Sequence, residues 1–158
     1  MTKSDLGKDT REVMITRIFR APRELVWKAW TDQRQLAKWW SPDMFTIPIC
    51  ELDVRPGGKL RIHMRGPDGT IYPMTGVYRE IVEPEKLVFT NEIRGIEGNL
   101  LFEVLTTAIF VEQKINTKLT VNQSVIRVIS PEAEQYLAGM EPGMKQSLNH
   151  LSAYLQSK

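Results

Sequence analysis

The chain has one cysteine, two histidines and no apolar run of membrane length in its 158 residues. A single thiol, Cys50, excludes an internal disulfide and suits a reducing cytosol, so a cytoplasmic setting is expected. His63, His150 and Cys50 do not sit at metal-ligand spacings and fall short of the three or four ligands that a zinc site needs, so no metal is expected. No window approaches the ~20 apolar residues of a membrane helix, so no membrane insertion is expected. The opening MTKSDLGKDTR lacks an apolar core and does not read as a secretory leader. An excess of one charge is also missing. There are 21 basic and 19 acidic residues, a net +2, with the signs interspersed, so no basic face for nucleic acid is expected. Gly57-Gly58 and Gly66-Pro67-Asp68-Gly69 do not lead a strand into a helix, so they read as hairpin turns and not as phosphate cradles.

What is present describes an ordinary one-domain chain, 42% hydrophobic and 25% charged. Residues 1–11 read as a loose polar tail and residues 12–158 as the domain. A first strand over 12–20, with Val13, Ile15, Ile18 and Phe19, runs into Ala21-Pro22, and Pro22 suits the first turn of a helix. Leu25, Val26, Ala29 and Trp30 recur at helical spacing. Asp32 caps a second short helix with Leu36, Trp39 and Trp40 inside, and Ser41-Pro42 stops it. Strands follow over 45–54, through Leu60, Ile62 and Met64, then over 71–82, 86–93, 99–112 and 115–129. Ser130-Pro131 opens a helical tail that Gly139 to Gly143 interrupts or bends. Its stripe of Met140, Met144, Leu148, Leu151 and Leu155 marks one buried face. The expected fold is therefore α+β, a helix-grip: a curved antiparallel sheet of about seven strands around a long C-terminal helix, with two short helices after the first strand.

The order of these pieces resembles the START-like superfamily (birch-pollen-allergen-like). The ending Trp39-Trp40-Ser41-Pro42 narrows the resemblance to the family related to the C-terminal domain of the activator of the 90-kDa heat-shock chaperone ATPase. Further pieces are Asp53-Val54-Arg55-Pro56-Gly57-Gly58, Met64 to Gly69, Gly76 to Ile81, Pro84 to Leu87 and Gly143 to Leu151. Two positions depart from the family. Met144 stands where relatives usually carry Trp, and Asn91 stands where an aromatic often follows Phe89-Thr90, so no relative's ligand carries over. The resemblance implies an interior pocket for a hydrophobic small molecule as the leading function. It also implies two alternatives, a chaperone-associated protein-interaction role and a cyclase- or hydrolase-like enzyme acting on an aromatic or polyketide-like substrate. A monomer or weak homodimer is expected.

The candidate pocket lining is Trp40, Leu60, Ile62, Met64, Phe89, Asn91, Met140, Met144 and Leu148. The four tryptophans are expected to plug one end of the barrel, with at most Trp40 at a cavity mouth. Cys50 shares parity with Leu52 and Val54 and packs inside as a small hydrophobe. Glu103, flanked by Leu101 and Leu105, is the candidate cavity acid; strand parity alone leaves the face of Glu51, Asp53 and Glu92 open. No catalytic motif is present, so no catalytic residue and no cofactor are assigned.

Overall fold

The computed structural model describes residues 12–157, so the expected tail lies outside the described residues. Strand β1 (Glu12–Phe19) is followed by helices α1 (Arg23–Thr31) and α2 (Gln33–Trp39). Then come β2 (Thr46–Leu52), β3 (Lys59–Arg65), β4 (Ile71–Val82), β5 (Lys86–Arg94), β6 (Leu100–Gln113) and β7 (Asn116–Val128). A five-residue helix α3 (Ala133–Leu137) and a 17-residue helix α4 (Met140–Gln156) complete the chain. The sheet has the order β1-β7-β6-β5-β4-β3-β2 with every neighbouring pair antiparallel. This is the expected helix-grip.

The short helices form as their sequence dictates. Asp32 accepts a hydrogen bond from the Arg34 backbone N–H at 2.9 Å, capping α2. The apolar face of α1 buries Val26, Trp27, Ala29 and Trp30, and α2 buries Leu36 and Trp39. The C-terminal segment breaks at Ala138-Gly139, so α3 and α4 are separate helices.

Alternation fixes which side chains reach the helix. Phe102, Val104, Thr106, Ala108 and Phe110 of β6 and Leu119, Val121 and Gln123 of β7 are buried on the inner face. Facing them, α4 buries Met144, Ser147, Leu148 and Leu151. Met140 and Leu155 complete the stripe at half burial. A link from the Arg17 guanidinium to the Asn149 side-chain oxygen, 2.8 Å, ties β1 to α4.

Candidate functional site

The grip is solid at one end and open at the other. At the solid end Trp30 packs edge-on against Trp39, Trp40 and Phe110, with ring centroids 5.0, 5.8 and 5.9 Å apart. Trp27 meets Phe110 at 5.3 Å. The gap left between Trp30, Leu36, Trp40, Leu60, Ile62 and Phe89 is only about 10 Å³, no more than a single water could occupy. The plug expected from the sequence is therefore present, and Trp40 forms its inner wall.

Beyond Trp40 the sheet and helix part. Met74 of β4, Asn91 and Ile93 of β5, Phe102 and Val104 of β6 and Gln123 of β7 form the floor of an open cavity of about 330 Å³. The roof comes from Met140, Gly143, Met144 and Ser147 of α4 and from Tyr136 of α3. The space exists because Gly143 and Ser147, one helical turn apart, put small groups where full side chains would fill it. A Cβ built on Gly143 meets nothing within 4 Å. An outer vestibule of about 370 Å³ adjoins it, adding Phe45, Tyr72, Pro73 and Arg94. Tyr136 lines both spaces, its ring 6.5 Å from those of Tyr72 and Phe102. Its phenol is pushed up from the ordinary value, first by burial and then by Tyr72 and Glu132.

One polar line crosses the apolar floor. The Gln123 amide nitrogen donates to Thr106 Oγ1 at 3.2 Å, and Thr106 Oγ1 donates to Asn91 Oδ1 at 2.6 Å. Asn91 Nδ2 in turn donates to Met74 Sδ at 3.3 Å. Gln123, Thr106 and Asn91 are all nearly fully buried. The bonds follow the strand register: Thr106 pairs with Gln123, whereas Asn91 pairs with Val104 and Met74 with Ile93, leaving Asn91 diagonal to both its partners. Among the described residues the inner cavity is lined by no charged side chain.

The expected lining residues divide into groups. Trp40, Met64, Asn91, Met140 and Met144 line the cavity. Leu60, Ile62 and Phe89 instead border the filled gap behind Trp40. Leu148 is fully buried in the main core. Glu103 does not serve as a cavity acid. Its neighbours Phe102 and Val104 line the cavity, while its carboxylate lies 3.5 Å from Arg127 Nε. Gln123, Thr106, Met74, Ser147, Gly143 and Tyr136 were not anticipated. Gln123 and Thr106 share strand parity with Val121 and Val104, so a polar side chain on an apolar parity was the available cue.

The remaining reactive groups lie elsewhere. Cys50 is half-buried against the core, and burial, then the negative charges of Asp32 and Glu51, push its thiol up to about 12. A thiol so held is a poor nucleophile. Burial and then Arg61 lower the His63 imidazole below its ordinary value. His150 reaches toward the turn after Trp40, with Nδ1 2.9 Å from the Ser41 carbonyl and Nε2 2.6 Å from Asp43 Oδ1. Among the described residues no three His, Cys, Asp or Glu side chains are grouped to hold a metal ion. No described helix is long and apolar enough to cross a membrane.

The same architecture recurs in solved structures. The solution structure of a protein from Arthrobacter aurescens superposes with a TM-score of 0.81 at 27% identity, covering 95% of this chain and 88% of that one. Protein Ms6760 from Mycobacterium smegmatis gives 0.78 at 28% identity, with 96% and 94% covered. The AHSA1 protein of Silicibacter pomeroyi gives 0.76 at 19% identity, with 92% and 98% covered, a likeness of fold alone. No curated protein matches the chain. Residues 20–156 match the family described as Activator of Hsp90 ATPase homolog 1-like protein, and the chain belongs to that family.

Proposed function

We propose that this protein binds a hydrophobic small molecule in the cavity between its sheet and its C-terminal helices, as a carrier or sensor in the cytosol. The open cavity of about 330 Å³ carries the reading, since its size and largely apolar lining match the general character of small-molecule sites. The lining supports holding a ligand over acid–base chemistry. Its titratable side chain is the Tyr136 phenol, raised by burial and so held neutral, and neither histidine borders the space.

Native mass spectrometry of freshly purified protein, compared with the same sample denatured, tests this. A mass excess lost on denaturation is expected. Added ligand should also raise the unfolding temperature, because occupancy at a hundredfold Kd stabilises by about 2.7 kcal/mol. For a domain of this size that corresponds to a shift of roughly 5–10 °C. No mass excess, and no shift with a panel of fatty acids, sterols and aromatic polyketides, would refute the reading.

A further inference from the structure

The polar line on the cavity floor has a direction, and Met74 sets it. A thioether accepts hydrogen bonds weakly and donates none, so the Asn91 amide must turn its nitrogen toward Met74 Sδ. Asn91 then presents Oδ1 to Thr106, whose hydroxyl has to donate its single hydrogen there. With that hydrogen committed, Thr106 Oγ1 accepts from Gln123, which must turn its nitrogen inward. The relay therefore leaves Gln123 Oε1 as its unused end. That oxygen takes no hydrogen bond among the described residues, and Gln123 borders the cavity. Each amide nitrogen also keeps a second hydrogen beyond the one used in the relay.

A carbonyl acceptor beside amide donors, in a cleft without charge, defines a complement. We infer that the cavity selects a neutral hydroxylated ligand, a phenol or alcohol on an apolar skeleton, whose hydroxyl donates to Gln123 Oε1. The inference rests on the cavity-binding reading and adds the class of ligand to it. A hydroxyl both donates and accepts, so it matches an amide edge. An ether only accepts and leaves Oε1 without a hydrogen. A carboxylate fares worse, because it has no hydrogen to give Oε1 and an ion taken from water into a cleft with no countercharge is costly. The cation that borders the vestibule, Arg94, is already engaged by Glu92, by Thr75 Oγ1 at 3.1 Å and by the Gly98 carbonyl at 3.1 Å.

Three compounds on one skeleton separate these chemistries: 2-naphthol, 2-methoxynaphthalene and 2-naphthoate, titrated calorimetrically into the full chain at neutral pH. The naphthol should bind on the order of tenfold more tightly than the ether, the equivalent of one buried hydrogen bond and its unpaired alternative. The naphthoate should bind more weakly than the naphthol by at least as much. Gln123→Leu should bring naphthol and ether within about twofold of each other, with the ether's own affinity little changed. The comparison on the unaltered chain needs no variant, so it stands even if Gln123→Leu does not fold. Equal binding of naphthol and ether overturns the inference while leaving the cavity-binding reading intact. Tightest binding by the naphthoate overturns it as well. Failure of all three overturns it too, and a blank native mass spectrum alongside that failure removes the cavity-binding reading with it.

Discussion

His150 and Asp43 stand 2.6 Å apart, Nε2 to Oδ1, joining α4 to the turn that follows the paired tryptophans. Three further bonds secure the same turn. His150 Nδ1 meets the Ser41 carbonyl at 2.9 Å, and Gln146 Oε1 accepts from the Asp43 backbone N–H at 2.9 Å. Ser147 Oγ donates to the Trp40 carbonyl. Pro42, which borders both the cavity and its vestibule, is held between these attachments.

Replacing His150 should therefore loosen the cavity rim. His150→Ala is expected to cost roughly 1–2 kcal/mol, from one hydrogen bond to a carbonyl and one half-exposed pair. Asp43→Asn should cost less, because Asp43 is largely exposed. Urea denaturation followed by tryptophan fluorescence measures both. An unchanged midpoint for His150→Ala would show that the attachments through Gln146 and Ser147 suffice.

Gly143 separates stability from binding. It lies in helical backbone with open space where a Cβ would be, so Gly143→Ala should stabilise the protein by about 0.5–1 kcal/mol. Gly143→Leu projects a longer chain into the cavity, and should preserve the fold while abolishing the ligand-dependent rise in unfolding temperature. A leucine variant that still binds would place the ligand elsewhere.

The two central tryptophans differ in their polar handles. Trp39 Nε1 donates to the Ala29 carbonyl at 2.9 Å, whereas Trp30 Nε1 is buried with no partner among the described residues. Both Trp→Phe changes lose ring volume, but only Trp39→Phe loses a made hydrogen bond. Trp39→Phe should therefore be the more destabilising by about 1 kcal/mol. Equal denaturation midpoints would contradict this.

Alkali should weaken the fold through two buried acids. Burial, then Asp32 and Glu51, raise the Cys50 thiol to about 12 from an ordinary 9.0. Burial, then Cys50 and Asp53, push the Tyr78 phenol up from an ordinary 10.0. Between the ordinary and the raised values the unfolded chain has released protons that the folded chain still holds. Stability is thus retained below pH 9 and falls as pH rises above it, with Tyr78 contributing from pH 10. Denaturation midpoints at successive pH values read this out, and Cys50→Ala should flatten the section from pH 9 to 10. A midpoint that holds steady from pH 9 to 10 would contradict the raised thiol of Cys50, and one that holds steady on to pH 12 would contradict both groups.

Much of the fold was legible because local chemistry repeats along the chain. Strand β4 occupies the expected span, 71–82, bounded by Gly69 and Glu83-Pro84 turn chemistry. Trp39, Trp40 and the Ser41-Pro42 stop also lie where their spacing puts them. Glu103 misled for a definite reason. Its alternate neighbours Leu101 and Leu105 are apolar and suggested an inner face, but the inner parity of β6 is that of Phe102, Val104 and Thr106, and the register shift beside Glu103 skips a residue of β7 and leaves that alternation intact. The cavity floor was hidden differently. Thr106 and Gln123 lie 17 positions apart and acquire meaning only when β6 and β7 pair. Cavity volume is likewise a property of what Gly143 and Ser147 omit, which hydrophobic spacing does not register.

The neighbour that β1 acquires is the last strand to leave the ribosome. Phe19 pairs with Thr117 and Glu12 with Ser124, so the sheet closes only after nearly the whole domain has been made. At about 5–20 residues per second, roughly 5–20 s of synthesis separate the two strands. Through most of that interval the apolar side of β1, with Val13, Ile15 and Phe19, has no native partner strand, and the tryptophans of α1 lack Phe110. Such wide separation between partners also slows refolding from denaturant. The protein's most hazardous moment is therefore birth: its richest aromatic surface is made first and covered last.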